Sequence, residues 1–283
     1  MHKKRLVILL LFFLLLNIFS WNFLFSLEKE LEVVFFDVGQ GDAIFIKTPQ
    51  GHNILIDGGP GNIVLEKIGR EMPFLDESID LVVLTHPHYD HVSGLIDILK
   101  NYKIEDVLCT GVLSESNIGK KWNRIIEERG YRVALAGQRI LANDIHIDIL
   151  HPTRKLRGEK IGDLNEASII IRLSHKGKNF LFMGDAYKKQ ERELLSLERE
   201  CKKRHDDCSF FEISADVLKV GHHGSRTSTT SDFLSVVSPE FAVIQAGKDN
   251  RYGHPHDETI ETLEREMVKI MRTDKDGDIR FVY

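Results

Sequence analysis

Cysteine is scarce in this sequence, with 3 residues among 283. So few cysteines exclude a scaffold that is built from disulfides. Cys201 and Cys208 are close enough in the chain to close a small loop, which leaves Cys109 in an apolar strand. Three buried free thiols are an equally good interpretation, because spacing alone does not fix the pairing.

Proline is also scarce, with 7 residues, and the sequence has neither a Gly/Pro-rich tract nor an internal repeat. No linker between domains is therefore predicted. Hydrophobic residues make up 42% of the chain and charged residues 29%, a balance that excludes a fibre and a disordered chain. The length suits one large α/β domain.

The N-terminus differs in composition from the rest of the chain. The cations of Lys3-Lys4-Arg5 precede an apolar stretch, Leu6 to Leu27, that is long enough to cross a bilayer as a helix. The cations should stay in the cytoplasm, so the domain at 30–283 is expected outside the cell membrane. We predict that residues 1–27 are a signal anchor, or a signal peptide if they are cleaved. The lack of an A-x-A pattern favours a membrane-anchored domain over a secreted one.

The domain after the apolar stretch is acidic. All 43 acidic side chains and all but three of the 38 basic ones follow Leu27, which gives this part a net charge of −8. Binding to nucleic acid through charge alone needs many Lys and Arg contacts to phosphates, so this class of protein is disfavoured. A nuclease whose metal ions meet the phosphate is not excluded.

Periodicity predicts two halves of similar make-up. In the first half, strands at 31–36, 43–48, 52–56, 81–84, 104–109, 131–135 and 144–150 accompany helices at 62–72, 93–100 and 117–129. In the second half, strands at 168–174, 179–183, 215–220, 241–245, 269–273 and 279–283 accompany helices at 230–237 and 257–267, and a helical stretch starts near Tyr187. The charged segment 188–212 is predicted to be a solvated surface insertion. The α/β pattern favours a four-layer αββα sandwich, although a three-layer α/β sheet is also compatible with it.

Histidines and carboxylates are concentrated in one segment after the apolar strand 81–84. Its sequence, T-H-P-H-Y-D-H, places three imidazoles and a carboxylate on one loop. His86 and His88 can point the same way from an extended segment, while Asp90 and His91 can face a second point close by. This arrangement suits two adjacent cations. Solvated loop histidines are the alternative, but the H-x-H-x-D-H pattern is rare by chance.

Two later strands end in similar clusters. Asp185 follows the strand at 179–183, where its carboxylate can bridge two ions, although an isolated Asp there would be an ordinary helix N-cap. His222 and His223 follow the strand at 215–220. Adjacent residues of a strand point to opposite sides, so we predict that only His222 is a ligand. His223 would then support a ligand or face the substrate.

A third histidine cluster follows the strand at 241–245. His254 can hold a phosphate or protonate a leaving group, whereas His256 is predicted to lie at the surface.

These patterns together resemble a known family. The order T-H-x-H-x-D-H, then G-D, then G-H-H-G-S is similar to that of the metallo-β-lactamase superfamily of binuclear hydrolases. The segments F-D-V-G-Q-G-D (36–42), L-I-D-G-G (55–59) and N-x-Y-G-H-P (250–255) narrow the resemblance to the hydrolase domain of ComEC-type competence and DNA-internalisation proteins. It covers about residues 30–283 and implies the αββα metallo-β-lactamase sandwich.

The resemblance also implies a set of ligands for two divalent ions, Zn²⁺ or Mn²⁺. His86 and His88 would hold the first ion. Asp90, His91 and His222 would hold the second. Asp185 would bridge them.

A third histidine that the family uses for the first ion has no counterpart at its expected place. Asn165 lies there instead, and it is a candidate ligand whose neutral amide oxygen favours Mn²⁺ beside Zn²⁺. Asp37, Gln40 and Asp42 lie in a glycine-rich turn that is near the site in the family. We expect Asp37 to support the site and the other two to form the turn, with a purely structural turn as the equal alternative.

The predicted activity is metal-dependent hydrolysis through a hydroxide that bridges the ions, acting on phosphodiesters of extracytoplasmic DNA or other nucleic acid. The predicted catalytic residues are Asp90, His223, Ser225 and His254; Ser225 and the backbone amides of the Gly224 turn, with His223 or His254, would hold the phosphate. A carbonyl hydrolase for a lactone, thioester or β-lactam is the alternative, because the superfamily shares one metal cage across these reactions. A non-catalytic competence accessory or binding protein with a degenerate site is another.

The predicted partners follow from the same resemblance. Full-length ComEC proteins carry a multi-helix membrane channel, whereas this chain has a single apolar segment. We therefore expect a nucleic acid or small phosphodiester as substrate, the membrane as a contact of the N-terminal helix, and a separate competence channel as a partner.

Overall fold

A computed structural model describes residues 4–5, 9–17, 30–72, 77–204 and 208–283. The chain divides into two compact units, residues 1–30 and 31–283. In the first unit, residues 9–17 are helical and exposed. The predicted apolar helix extends over residues that lie outside the described ranges, and the described part of the chain contains no helix that is long and apolar enough to cross a bilayer.

The second unit contains two seven-stranded sheets. Their strands are β1 (Glu32–Phe35), β2 (Ile44–Lys47), β3 (Asn53–Ile56), β4 (Ser78–Leu84), β5 (Lys103–Cys109), β6 (Arg132–Val133), β7 (Arg139–Ala142), β8 (Ile145–His151), β9 (Ile170–His175), β10 (Lys178–Phe182), β11 (Val217–Lys219), β12 (Phe241–Ile244), β13 (Lys269–Arg272) and β14 (Ile279–Val282). The first sheet has the order β14-β1-β2-β3-β4-β5-β6 and the second β13-β12-β11-β10-β9-β8-β7. Neighbours are parallel from β3 to β6 and from β10 to β13, and antiparallel elsewhere, including β14 beside β1.

The helices lie between these strands in the chain. They are α1 (Ile63–Glu71), α2 (Tyr89–Asn101), α3 (Asn117–Arg129), α4 (Lys188–Arg204), α5 (Ser231–Val237), α6 (Asp257–Arg265) and α7 (Thr273–Asp276). Short 3₁₀ turns form at Leu164–Ala167, Cys208–Phe210 and Gly221–Gly224.

Three apolar clusters define the layers of the sandwich. Successive side chains of a strand point to opposite faces of its sheet. Phe35 of β1 packs between the two sheets, with its ring centroid 6.0 Å from that of Phe182 in the second sheet. Phe45 of β2 packs on the outer face of the first sheet. The outer face of the first sheet is covered by α1 to α3, and that of the second by α4 to α6. The predicted four-layer order is confirmed, and the three-layer alternative is wrong.

The segment 188–212 is not the solvated insertion that its charge predicts. Most of it is α4, which packs Leu194 against the second sheet and buries Cys201. The buried side of this helix also carries polar groups such as Glu191, and these hide its apolar stripe in the sequence. Cys201 forms a disulfide with Cys208, and Cys109 is a buried free thiol.

Candidate metal centre

The predicted metal ligands meet where β4, β10 and β11 end, and Asp185 lies at their centre. This carboxylate is buried, and its Oδ2 lies 3.7 Å from His86 Nε2 and 3.4 Å from His91 Nε2. The same oxygen lies 3.5 Å from His223 Nε2. One carboxylate oxygen is therefore close to three imidazoles from two separate segments of the chain.

His86 and His88 converge on one side of this carboxylate. His86 Nε2 and His88 Nδ1 are 3.0 Å apart. The other ring nitrogen of His86 faces the hydroxyls of Thr85, at 3.1 Å, and Ser168, at 3.4 Å. These contacts fix the plane of the His86 ring, so that Nε2 is directed to the centre.

Asp90 and His91 lie in the first turn of α2, which begins at Tyr89 and not near residue 93 as predicted. The apolar periodicity that marks a helix starts only at Val92, so the polar first turn resembles a loop in the sequence. The absence of a side chain at Gly94 allows this turn to approach Gly58, because a Cβ atom built at Gly94 would lie 2.0 Å from the Gly58 carbonyl oxygen. The helix start is thereby packed closely against the turn that follows β3.

The two adjacent histidines do not belong to a strand. β11 ends at Lys219, and the 3₁₀ turn that follows gives His222 and His223 left-handed φ angles of 48° and 54°. Alternation along a strand, the premise for choosing His222 as a ligand, is therefore wrong here. Both imidazoles instead line one cavity with Asp185.

His223 lies closer than His222 to the carboxylates of the centre. It is buried, and its Nε2 lies 3.5 Å from Asp90 Oδ2 as well as 3.5 Å from Asp185 Oδ2. His222 Nε2 is 4.0 Å from Asp185 Oδ2 and 3.4 Å from Asn165 Nδ2. The distances place His222 beside Asn165, where the family's third histidine is absent.

Asn165 is buried in the 3₁₀ turn Leu164–Ala167. Its amide nitrogen donates to the Tyr187 hydroxyl at 2.8 Å, whereas its Oδ1 accepts no hydrogen bond from any described residue. Asn165 therefore lines the cavity of the centre, and its Oδ1 is available to a ligand.

The unpartnered atoms of the centre fit divalent cations. Within the described ranges, buried atoms without a hydrogen-bond partner include His91 Nε2, Asp185 Oδ1, His223 Nε2 and Asn165 Oδ1. Leaving such atoms unpaired is costly, so native proteins pair them with protein groups, water or ions. Two donor groups, His86/His91/Asp185 and Asp90/His91/His223, each have ligand atoms within 4.8 Å of one another. Imidazole nitrogen with carboxylate oxygen is a donor set for Zn²⁺ and Mn²⁺.

Two buried carboxylates hold the inner histidines from behind. Asp57 accepts from the Thr85 amide at 2.8 Å and faces His91 Nδ1 at 2.8 Å. Asp42 Oδ1 lies 3.2 Å from His223 Nδ1, and its Oδ2 accepts from Lys219 Nζ. Asp57 therefore fixes which nitrogen of His91 remains for an ion, whereas His223 Nδ1 donates to the Gln245 carbonyl oxygen at 2.9 Å, which leaves its Nε2 free.

The sequence does not indicate these roles. The sequence predicts Asp42 in a turn and assigns no role to Asp57 or Lys219, although a lone cation in V-L-K-V is a signal for a buried anion. Asp37, expected to support the site, only shapes its turn, because its Oδ1 accepts from the Gly39 amide at 3.1 Å.

Burial and neighbouring charges alter the pKa values of the centre. Burial raises the pKa of Asp185, but His223 and His91 outweigh it and hold this pKa well below its ordinary range. Burial lowers the pKa of His91, yet the carboxylates of Asp185 and Asp57 raise it well above its usual value. Burial, with His222 and His223 nearby, lowers the pKa of His254 to about 4. The central carboxylate is therefore ionised, as a metal ligand must be.

The centre opens into a cavity of about 280 Å³. His254, Gln40, Tyr89 and Tyr252 line it together with the donor residues. Ser225 does not line it. That side chain is buried, and its hydroxyl accepts from Thr227 Oγ1 at 3.0 Å, so the structure does not bring Ser225 to a bound phosphate.

Comparison with known proteins agrees with this geometry. Residues 36–248 match the model of the metallo-beta-lactamase superfamily. The chain belongs to that superfamily. Together with the donor cluster, this makes the protein a metal-dependent hydrolase of the metallo-beta-lactamase fold.

The chain is similar to curated competence proteins over most of its length. It is 31% identical over 277 residues to ComE operon protein 3 of Bacillus subtilis (strain 168). The matched region covers 91% of this chain and 34% of the Bacillus protein. It is 27% identical over 258 residues to competence protein ComA of Neisseria gonorrhoeae, with coverages of 90% and 32%. The predicted resemblance is confirmed, and the chain spans about a third of the length of these relatives.

A solved structure shows the same fold. The metallo-beta-lactamase fold protein YhfI from Bacillus subtilis superposes with a TM-score of 0.55 at 12% identity, covering 90% of this chain and 100% of that chain. At this identity the likeness concerns the fold alone.

Proposed function

We propose that the protein is a phosphodiesterase that acts on extracytoplasmic DNA or another nucleic acid. The observation that carries the proposal is the cluster of unpartnered buried donor atoms on both sides of Asp185, at the floor of an open cavity. Similarity to competence proteins over nine-tenths of the chain supports a nucleic acid over a lactone, thioester or β-lactam. The intact carboxylates Asp90 and Asp185 argue against a non-catalytic accessory protein.

We assign the ligands from the distances described above. The first ion would be held by His86 Nε2 and His88 Nδ1, with Asn165 and His222 beside them. Asp90, His91 and His223 would hold the second, and Asp185 would lie between the two. Bound Zn²⁺ or Mn²⁺ would lower the pKa of water, polarise the phosphoryl oxygen and stabilise the leaving oxygen.

The remaining residues of the site position the inner histidines or contact the substrate. Asp57 orients His91 through its Nδ1, the Gln245 carbonyl oxygen accepts from His223 Nδ1, and Lys219 neutralises the buried Asp42. His254 lines the cavity with its ring centroid 5.3 Å from that of His222, a place from which it can contact a phosphate oxygen. No side chain is needed as a nucleophile in this scheme.

We also propose that residues 1–27 hold the domain at the outer face of the membrane, where a separate channel protein would be its partner. The support for this is the apolar stretch after Lys3-Lys4-Arg5.

The test of the function compares Asp185→Asn with Asp80→Asn in the purified, metal-loaded full chain. Asp80 is the matched control, because it is a half-exposed carboxylate that pairs with His52 at a different cavity. Asp185→Asn should lose most bound metal, measured by mass spectrometry, and at least about 100-fold in phosphodiester turnover. Asp80→Asn should lose neither.

Substrates separate the candidate functions. We expect the wild type to cleave oligonucleotides and bis-p-nitrophenyl phosphate and to leave a chromogenic β-lactam intact. Hydrolysis of a lactone or β-lactam without any phosphodiester cleavage would replace the proposal with the carbonyl hydrolase. Full activity of Asp185→Asn would overturn the metal assignment itself.

A further inference from the structure

A second cavity adjoins the metal centre and shares His88 and Tyr89 with it. It measures about 510 Å³ and lies between residues 113–118 and 160–164. Leu113, Ile118, Ile161 and Leu164 give it apolar walls, and Ser114 and Ser116 give it hydroxyl groups. Sites for small organic ligands combine this size with mostly apolar walls and a few polar groups.

Tyr89 forms the border between the two cavities. It lies between the ligand residues His88 and Asp90, and 56% of its surface is exposed. Among the described residues, its ring packs on no other aromatic ring and its hydroxyl makes no hydrogen bond. A large apolar ring that the protein itself leaves uncovered beside a metal centre is a platform for a flat ligand.

Tyr252, the other exposed tyrosine of the metal cavity, is already in contact with its own chain. Its ring stacks on His254 with centroids 5.7 Å apart, and the Arg251 guanidinium lies 4.8 Å from its centroid. Tyr89 is therefore the better candidate for stacking on a ligand.

The charges of the second cavity favour a neutral ligand over a phosphate. Lys160 lines it but forms an ion pair with Glu115 at 2.5 Å. Asp163 also lines the cavity, and its Oδ1 accepts from the backbone amide of Asn165 at 3.0 Å. A nucleobase is neutral, flat and rich in hydrogen-bonding groups, so it matches the ring, the apolar walls and the serine hydroxyls together.

We propose that this cavity binds an unpaired nucleobase next to the scissile phosphate, stacked on Tyr89. The inference rests on the proposed phosphodiesterase function and names its substrate class as single-stranded nucleic acid. A base within a duplex is paired and stacked on both faces, so it reaches such a cavity only after it leaves the helix. Stacking on a neutral base also supplies affinity that an acidic domain cannot obtain from phosphate charge.

The experiment uses the metal-loaded full chain and one oligodeoxynucleotide in three forms: single strand, duplex, and single strand with an abasic site at each position in turn. The variants are Tyr89→Ala and Tyr89→Phe. Leu141→Ala is the control, because Leu141 is 63% exposed and lines a different cavity. Kinetic constants and bound metal are measured for each.

We expect the single strand to be cut faster than the duplex. Tyr89→Ala should raise the KM for the single strand by about 5- to 100-fold with bound metal unchanged, whereas Tyr89→Phe should keep the wild-type KM. An abasic site beside the cut should raise the KM of the wild type by a similar factor. It should hardly raise the KM of Tyr89→Ala further, because the missing base and the missing ring remove the same contact.

The proposal is overturned if Tyr89→Ala keeps the wild-type KM, if no abasic position matters, or if the duplex is cut equally well. A metal-loaded wild type that cleaves no phosphodiester of any kind overturns the proposed function instead, so the two failures are distinguishable.

Discussion

Lys219 is the residue whose environment departs furthest from its ordinary one. It is fully buried, and its ammonium group donates to Asp42 and, at 3.0 Å, to the carbonyl oxygen of Gly184. Asp42 in turn faces His223. The ammonium group therefore stabilises a buried carboxylate beside the candidate metal centre, and it contacts the backbone just before Asp185.

Replacing Lys219 by Met should destabilise the fold by about 3–5 kcal/mol, because it leaves the Asp42 charge buried without its partner. The matched control is Lys178→Met, which removes a half-exposed lysine 3.6 Å from Asp216 and should cost about 0–1 kcal/mol. Urea unfolding measures both. Equal unfolding free energies for the two variants would show that the buried Lys219–Asp42 pair stabilises the fold no more than the exposed pair does.

Sequence reasoning found the residues of the centre that are contiguous and missed those that are paired across the fold. His86, His88, Asp90 and His91 stand in one short segment, so their convergence follows from local geometry. Lys219 and Asp42 are 177 positions apart, and no local pattern joins them. The left-handed turn at His222 and His223 is likewise set by packing, which alternation along a strand cannot anticipate.

At the scale of elements, the position of α2 depends on a contact between two glycines. The carbonyl oxygen of Gly58 leaves no room for a side chain at Gly94, and the Gly58 amide donates to the His91 carbonyl oxygen at 2.8 Å. Because α2 carries Asp90 and His91 in its first turn, this contact sets the distance between two ligands and the first sheet.

Gly94→Ala should therefore move the start of α2 away from Gly58, destabilise the fold by about 1–3 kcal/mol and lower the amount of bound metal. Gly69→Ala in α1 is the control, since the nearest atom to its new methyl group is the Tyr102 hydroxyl at 3.9 Å. That change should be neutral or stabilising by up to about 1 kcal/mol. Thermal unfolding and metal analysis report the two effects, and unchanged metal content in Gly94→Ala would contradict the argument.

Most elements were predictable because their apolar runs have the period of the structure they form. The strands at 31–36, 43–48 and 52–56 agree with the structure to within about one residue at each end. β7 and α7 were not predicted, and two further elements with charged or polar surfaces were recognised only in part, namely α4 and the first turn of α2. In both, burial of polar side chains by tertiary partners replaces the apolar pattern on which the sequence argument depends.

At the scale of the whole molecule, we predict that the domain lies outside the cell membrane. If the Lys3-Lys4-Arg5 flank fixes the orientation, the domain faces outside and fractionates with the membrane. Protease added to intact cells, or to spheroplasts where an outer membrane is present, should then digest residues 31–283. A cytoplasmic marker protein serves as the control for lysis. Resistance of the domain while the cells remain intact would refute the orientation.

The pairing of β14 with β1 has a consequence for how this unit is joined to other segments. Leu31 and Tyr283 exchange two backbone hydrogen bonds, of 2.7 and 2.9 Å, so the entry and the exit of the folded unit are side by side. A polypeptide can pass into such a unit and out again at one point of its surface. The unit can therefore be transplanted as an intact block into a loop of another protein, or reopened elsewhere as a circular permutant, without separating its two sheets.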